Sequence, residues 1–172
     1  MLKYISARDH RLMRRVQGWR PPRWVRLWMV CATRGGDGWL WCLLGFAILA
    51  VGGRDALPAL IAAAVATAVG TGLFVWLKRA TGRKRPCAIQ PHCWAKLLPP
   101  DRFSFPSGHS ITAFAVALPL GLFFPPLMWA LLFCAFSVAV SRIILGMHFF
   151  SDVLAGCVLG SVLGYAAFRL LT

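Results

Sequence analysis

Five long runs of apolar residues constrain this chain more than any other feature of its sequence. Polar stretches separate the runs, and a helix of about 20 apolar residues is long enough to cross the hydrocarbon core of a bilayer. Hydrophobic residues make up 59% of the 172 residues, whereas soluble domains contain about 45–50%. The sequence therefore predicts an all-α, polytopic membrane helix bundle with about five transmembrane helices, at residues 38–53, 56–77, 108–124, 127–145 and 153–171.

The first 37 residues differ from the rest because basic and aromatic residues are mixed in them. Nine of the first 34 residues are Lys or Arg, and Trp19, Trp24 and Trp28 lie close to arginines. Indole and guanidinium groups both favour the headgroup region of a membrane. We therefore divide the chain into a basic, amphipathic interfacial segment at 1–37 and a transmembrane domain at 38–172. The alternative is an ordinary basic cytoplasmic tail.

The charge balance of the chain is strongly basic. Its 19 Lys and Arg residues face only five acids, all of them Asp, which gives a formal net charge of +14. Such an excess indicates an anionic partner, which could be nucleic acid, lipid headgroups or an anionic substrate. The sequence contains no nucleic-acid-binding motif, and a chain this apolar lies in lipid. We therefore expect the lipid bilayer and a membrane lipid as partners and no nucleic acid, while the oligomeric state stays open.

Small residues recur at helical spacing within two of the apolar runs. Gly156, Gly160 and Gly164 follow one another at four-residue intervals, and a similar series begins at Ala62. Small side chains on one face of a membrane helix allow a neighbouring backbone to approach closely. The pattern predicts tight helix–helix packing and carries no information about chemistry.

Three polar clusters stand at the ends of the apolar runs. KRATGRKRP (78–86) ends the second run, PSGH (106–109) begins the third, and SRIILGMHFFSD (141–152) joins the fourth to the fifth. Successive spans cross the membrane in opposite directions, so all three clusters fall on one face. The sequence predicts a single pocket there, lined by Lys78, Arg85, Ser107, Gly108, His109, Arg142, His148 and Asp152.

Five of these residues suit the binding of a phosphate group. Lys78, Arg85 and Arg142 supply positive charge, and a guanidinium fork can bind two phosphate oxygens at once. Ser107 stands where it could cap the third apolar helix, and the free N–H groups near Gly108 point at the same anion site. The pattern therefore favours a phosphate-containing ligand.

The other three residues suit acid–base and nucleophilic chemistry. His148 followed by Asp152 four residues later resembles a nucleophile or base that is held by a carboxylate. His109 is a second imidazole, and it can donate a proton to a leaving oxygen. We therefore predict that His148, His109 and Asp152 are catalytic.

The three clusters resemble the signature of a known family. They have the forms K-x6-R-P, PSGH and S-R-x5-H-x3-D, and they are similar without departure to the motifs of the type 2 phosphatidic acid phosphatase (PAP2) superfamily. That superfamily also contains the vanadium haloperoxidases. The resemblance implies that His148 attacks phosphorus to form a phosphohistidine, that Asp152 orients His148, and that His109 protonates the departing oxygen.

The resemblance also implies that Lys78, Arg85, Ser107, Gly108 and Arg142 hold the phosphoryl oxygens. The family needs no metal or other cofactor. The absence of clustered carboxylates around the predicted pocket agrees, because sites with two metal ions require them.

The function implied by this resemblance is that of an integral membrane lipid phosphatase. It would hydrolyse the terminal phosphate of a lipid phosphate or pyrophosphate, and undecaprenyl pyrophosphate, phosphatidate, phosphatidylglycerophosphate and lipid A all stay open as substrates. One alternative is a lipid phosphotransferase that uses the same phosphohistidine. A vanadate-dependent haloperoxidase is a weaker alternative, because those members are generally soluble, and a non-catalytic lipid-binding protein would not need the reactive residues.

Several polar residues near these clusters are predicted to have other roles. His10 and His92 are expected to be solvated surface groups. Arg79, Arg83 and Lys84 are expected to recruit anionic headgroups without contacting the reacting phosphate.

Two signals disagree about the side of the membrane on which the site lies. The predicted site face carries 17 of the 19 basic residues, all except Arg54 and Arg169, and the positive-inside rule would place this face in the cytoplasm. Most bacterial relatives implied by the resemblance act on the outer leaflet. Cys87 and Cys93 share one polar loop and could form a disulfide in an oxidising compartment. We therefore predict a multi-pass protein of the bacterial inner membrane with its site facing the periplasm.

Overall fold

The structure is a computed structural model that describes residues 2–86 and 103–172. Within these ranges the regular structure is helical, the helices are joined by turns, and an isolated bridge pairs Lys84 with Phe103. The all-α prediction is therefore confirmed. The helices are α1 (Leu2–Gly18), α2 (Arg23–Gly35), α3 (Trp39–Val51), α4 (Ala56–Thr81), α5 (Gly108–Phe123), α6 (Met128–Ile144) and α7 (Phe150–Leu171).

Helices α3 to α7 coincide with the five apolar runs of the sequence. Three of them, with the short 3₁₀ turns that precede α4 and α6, are long and apolar enough to cross a membrane: Gly53–Thr81, Pro125–Ile144 and Phe150–Leu171. Helices α3 and α5 are equally apolar but contain 13 and 16 residues, and a span generally needs about 17–25. The membrane helix bundle is thus confirmed, and the count of five spans stays a prediction.

Helix α5 lies at the centre of the bundle. It packs against α4, α6 and α7, and ten of its sixteen residues are buried. A helix that is apolar on every side is typical of such a buried position. The PSGH cluster at the start of α5 is therefore held by three surrounding helices.

The glycines of α7 allow it to approach α5 closely. A Cβ added to Gly160 would lie 2.4 Å from the carbonyl oxygen of Ile111, and one added to Gly156 would lie 2.7 Å from the carbonyl oxygen of Ser107. A Cβ added to Gly164 would lie 2.8 Å from Cδ of Pro119. The predicted tight packing is confirmed, and it sets the separation between the starts of α5 and α7.

The N-terminal helices pack against the end of the bundle where α7 begins. Helix α2 lies along α6, where Met29 is buried with Leu145 and Met147, and α1 contacts both α6 and α7. His10, which was predicted to be a solvated surface group, is partly exposed, and its ring lies 4.9 Å from the ring of Phe149. His92, Cys87 and Cys93 lie outside the described residues.

Candidate active site

The predicted site residues meet where α4 ends, where α5 begins, and in the turn between α6 and α7. The backbone N–H of Ser107 donates to the carbonyl oxygen of Asp152 at 3.0 Å, which joins the first residues of α5 and α7 directly. The convergence of the three polar clusters that the sequence predicted is therefore present in the fold.

His148 lies in the turn between α6 and α7. The backbone N–H groups of Met147 and His148 both donate to the carbonyl oxygen of Arg142, at 3.0 and 3.1 Å, so the turn closes over the last residues of α6. Gly146 has a φ of 69°, a left-handed conformation that favours glycine. The result is that the His148 side chain points inward and is only 1% exposed.

The two ring nitrogens of His148 have different partners. Nδ1 lies 2.7 Å from the carbonyl oxygen of Ser104, which can only accept, so Nδ1 carries the proton in this arrangement. Nε2 lies 3.1 Å from Nη1 of Arg85, which also donates to the carbonyl oxygen of Met147 at 3.0 Å. The unprotonated Nε2 therefore faces a cationic group.

Burial keeps His148 in its neutral form. Desolvation is the main cause that lowers its pKa from 6.5 to about 4, and the nearby charges of Arg85 and Arg142 act in the same direction. Asp152 opposes this shift but does not reverse it. A neutral imidazole with an unprotonated Nε2 is the form that can attack an electrophile.

Asp152 does not form a hydrogen bond with His148 in this structure. Its Oδ2 lies 3.8 Å from Nδ1 of His148 and accepts a hydrogen bond from the backbone N–H of Phe149 at 2.8 Å. Its Oδ1 accepts one from Nη1 of Arg83 at 2.6 Å. Asp152 therefore fixes the first turn of α7, immediately after His148.

The prediction that Arg83 recruits lipid headgroups is wrong. Besides Asp152, its guanidinium contacts the carboxylate of Asp9 on α1 at 2.7 Å. Neither contact could be anticipated from the sequence, because 69 and 74 residues separate the partners. Arg83 belongs to the structure that surrounds Asp152.

His109 lies in the first turn of α5, where Nε2 is 2.7 Å from Oδ1 of Asp37. Asp37 belongs to the turn between α2 and α3 and was not among the predicted site residues. Next to this pair is a cavity of about 300 Å³, lined by Asp37, Thr71, Phe74, His109, Ile111 and Thr112 among others. His109 therefore stands between the polar site and a largely apolar cavity.

The three predicted phosphate-binding cations are all buried. Nζ of Lys78 lies 4.1 Å from the centroid of the Phe74 ring. Nη1 of Arg142 donates to Oγ1 of Thr33 on α2 at 2.6 Å. Arg85 contacts His148 as described above. Such cations at the polar end of a helix bundle favour an anionic ligand.

Ser107 lies at the start of α5 as predicted, but its side chain does not cap the helix. Ser107 occupies the N-cap position, and its hydroxyl instead accepts a hydrogen bond from Ser110 at 3.0 Å. Gly108 leaves room for the Phe74 ring, since a Cβ at this position would lie 2.7 Å from it. The same ring thus contacts both Gly108 and Lys78.

A sequence profile described as the PAP2 superfamily matches residues 58–172. The chain belongs to the PAP2 superfamily. The matched residues include all three motifs and every predicted site residue, and they exclude α1, α2 and α3. The family resemblance expected from the motifs is confirmed.

This PAP2 protein is similar to several named phosphatases. It is 38% identical over 100 residues to a lipid A 1-phosphatase of Rhizobium johnstonii, and this alignment covers 55% of this chain and 41% of that protein. It is 33% identical over 150 residues to the decaprenylphosphoryl-5-phosphoribose phosphatase of Mycobacterium tuberculosis, covering 79% and 77%. The alignments span less than half the length of the lipid A 1-phosphatases.

Two solved structures share the fold of this PAP2 protein. The PAP2 type phosphatidylglycerolphosphate phosphatase of Bacillus subtilis superposes with a TM-score of 0.74 at 26% identity, over 97% of this chain and 86% of that one. LpxE of Aquifex aeolicus superposes with a TM-score of 0.73 at 23% identity, over 92% and 93%. The likeness extends beyond residues 58–172, so the N-terminal helices are part of the shared architecture.

Proposed function

We propose that this protein is a membrane lipid phosphatase that removes a terminal phosphate through a phosphohistidine at His148. The observation that carries the proposal is the environment of His148. Its ring is buried and neutral, Nδ1 faces a carbonyl oxygen, and Nε2 faces Arg85. A phosphoryl group bound by Arg85 would bring its phosphorus next to the Nε2 lone pair.

The reaction would proceed in two displacements. In the first, Nε2 of His148 forms a bond to phosphorus while the bond from phosphorus to the leaving oxygen breaks, and His109 gives that oxygen a proton. In the second, His109 takes a proton from water, the water oxygen attacks phosphorus, and the P–N bond breaks. Inorganic phosphate leaves and both histidines return to their starting forms.

The remaining site residues would stabilise charge on the phosphoryl oxygens. Lys78, Arg85 and Arg142 provide three buried cations, and the backbone N–H groups at the start of α5, near Ser107 and Gly108, provide donors. The signature residues need no further group for this role, and we propose that the reaction uses no metal or other cofactor.

A lipid substrate agrees with the position of the site among apolar helices. According to their names, the relatives act on lipid A, on decaprenylphosphoryl-5-phosphoribose, on undecaprenyl diphosphate or on phosphatidylglycerolphosphate, and all of these are lipids that carry phosphate. The cavity beside His109 has a mostly apolar lining that suits a lipid chain. We propose undecaprenyl pyrophosphate, phosphatidate or phosphatidylglycerophosphate as substrates. Transfer of the phosphoryl group to a second lipid is the alternative outcome.

We further propose that the protein lies in the bacterial inner membrane with its site facing the periplasm. Residues 1–37 would form interfacial helices on the site side, because Trp19, Trp24 and Trp28 are exposed and arginines surround them. Residues 38–172 would form the catalytic domain. Labelling of Cys87 and Cys93 in intact cells by an impermeant thiol reagent, before and after mild reduction, tests the orientation.

The function is tested by phosphate release from a panel of lipid phosphates in detergent. The purified wild type should release phosphate from at least one lipid, His148→Ala should release none, and Asp55→Asn, a substitution at an exposed residue far along the chain from all three motifs, should keep wild-type activity. Phosphate release by His148→Ala at the wild-type rate would contradict the proposal. A lipid product that carries the phosphate would identify a phosphotransferase.

A further inference from the structure

Asp9 is an unusual residue for its position. It lies on α1, whose neighbouring arginines, such as Arg8 and Arg11, are exposed, yet Asp9 itself is only 5% exposed. It also lies outside the residues that the family profile matches. A buried carboxylate requires partners that replace water, and those partners show what Asp9 does.

The first partner of Asp9 is Ser151, in the first turn of α7. The backbone N–H of Ser151 donates to Oδ1 of Asp9 at 3.2 Å, and its hydroxyl donates to Oδ2 at 2.5 Å. The first N–H groups of a helix have no partner within the helix. Asp9 therefore supplies from α1 the cap that α7 lacks at this residue.

The second partner is Arg83, which joins two carboxylates. Nη2 of Arg83 contacts Oδ2 of Asp9 at 2.7 Å, and Nη1 contacts Oδ1 of Asp152 at 2.6 Å. The guanidinium also lies over the Phe149 ring, 4.3 Å from its centroid. A planar guanidinium can hold two carboxylates in a fixed relation, whereas a lysine ammonium cannot do so with the same geometry.

These contacts converge on Asp152, whose Oδ2 lies 3.8 Å from Nδ1 of the proposed nucleophile, His148. Asp152 is completely buried and receives Arg83 on one oxygen and the Phe149 N–H on the other. The backbone carbonyl of Asp152 also accepts the Ser107 N–H. A displacement of the Asp152 side chain would therefore move the turn that carries His148.

We propose that Asp9 and Arg83 are positioning residues for catalysis, which act by holding Asp152 and the first turn of α7 against His148. The inference rests on the proposed function at His148. It gives the N-terminal helix a direct part in the reaction geometry, in addition to any contact with lipid. Neither residue contacts the substrate in this account, and both act through Asp152.

The experiment compares Asp9→Asn with Asp55→Asn, which removes an equal charge at an exposed residue. Asn keeps the shape of Asp9 but weakens its contacts with Arg83 and Ser151. We expect kcat of Asp9→Asn to fall by about 10- to 100-fold, by analogy with the loss of partners that orient metal-binding histidines and carboxylates. KM should change less than kcat. Asp55→Asn should retain the wild-type kcat.

A second readout separates positioning of His148 from other roles. Because formation of the P–N bond is required for every substrate, kcat should fall by the same factor for a lipid phosphate and for p-nitrophenyl phosphate. If Asp9→Asn melts below the assay temperature, Arg83→Lys replaces it, with Arg54→Lys as the exposed control. Arg83→Lys should show the same loss in kcat on both substrates.

A folded Asp9→Asn or Arg83→Lys variant with wild-type kcat would overturn the inference. A loss confined to KM would also overturn it, because it would place these residues in lipid binding. His148→Ala, measured in parallel, separates this failure from failure of the proposed function. An inactive His148→Ala beside a fully active Asp9→Asn would leave the phosphatase proposal standing and remove only the role of Asp9.

Discussion

Nε2 of His109 lies 2.7 Å from Oδ1 of Asp37, across a separation of 72 residues. The turn that carries Asp37 packs tightly on α6, since a Cβ at Gly36 would lie 2.7 Å from Val138. The carboxylate is therefore presented to His109 by a fixed turn. In the proposed reaction it orients the imidazole that protonates the leaving oxygen.

Asp37→Asn should slow the reaction in a way that depends on the leaving group. A lipid alkoxide is a poor leaving group and needs the proton, so we expect kcat for a lipid phosphate to fall about tenfold, by analogy with partners that orient metal-binding histidines. p-Nitrophenolate needs little protonation, and its release should change less. Steady-state kinetics on both substrates tests this, and an equal loss on both would contradict the assigned role of Asp37.

His109→Ala should show the same dependence in a stronger form. General acid catalysis contributes about 10²–10⁴-fold, and this should be the loss of kcat on a lipid phosphate. The loss on p-nitrophenyl phosphate should be clearly smaller. The ratio of the two losses measures the contribution of the proton, and a ratio of one would remove His109 from that role.

The stability of the protein should fall at acid pH because of His148. Its pKa in the folded protein is about 4 instead of 6.5, so below pH 6.5 the unfolded chain binds a proton that the folded chain does not. The stabilisation is complete above pH 6.5 and is lost as pH falls towards 4. The difference between about 4 and 6.5 corresponds to about 3 kcal/mol.

This pH effect is measured as the difference between wild type and His148→Ala. The free energy of unfolding of both proteins is measured in the same detergent at pH 7.5 and pH 4.5, which gives the slope of stability against pH for each protein. The wild type should lose more stability than His148→Ala between these values. Parallel slopes would show that His148 is not held neutral in the folded state.

Chelation should leave the activity intact, and vanadate should inhibit it. The positive charge at the site comes from the side chains of Lys78, Arg85 and Arg142. Vanadate resembles the five-coordinate phosphorus of each displacement, so these groups should bind it. Phosphate release is measured with EDTA, with added magnesium and with vanadate. A loss of activity in EDTA that magnesium restores would contradict the proposed chemistry.

Gly160→Ala should destabilise the bundle, because the added Cβ would lie 2.4 Å from the backbone oxygen of Ile111. Overpacking of this kind costs about 1–3 kcal/mol. Gly72→Ala is the matched control, since a Cβ at that position on α4 meets no atom of the described residues within 4 Å. The free energy of unfolding in detergent distinguishes them. Equal stability of the two variants would show that α5 and α7 are less closely packed.

The sequence was sufficient to predict the bundle and the core of the site, because both depend on local patterns. Apolar runs of sufficient length located α3 to α7. Within each polar cluster the spacing is short, and the alternation of spans brings the clusters to one face. The eight residues named from the motifs lie around the meeting point of α4, α5 and the α6–α7 turn.

The supporting contacts could not be predicted in this way. Asp9 reaches Ser151 across 142 residues, Arg142 reaches Thr33 across 109, and His148 reaches the Ser104 carbonyl across 44. These pairs depend on how α1 and α2 pack against the bundle, which no short-range pattern specifies. The same reason explains why the contacts of Arg83 and His10 were not predicted.

The proposed mechanism requires that His148 becomes phosphorylated during turnover. The most direct measurement is rapid quenching of the enzyme with a ³²P-labelled lipid phosphate, followed by isolation of the labelled peptide under alkaline conditions that preserve phosphohistidine. We expect label on the peptide containing His148 in the wild type and none in His148→Ala. Phosphate release at the full rate without labelled protein, or label that persists in His148→Ala, would contradict it.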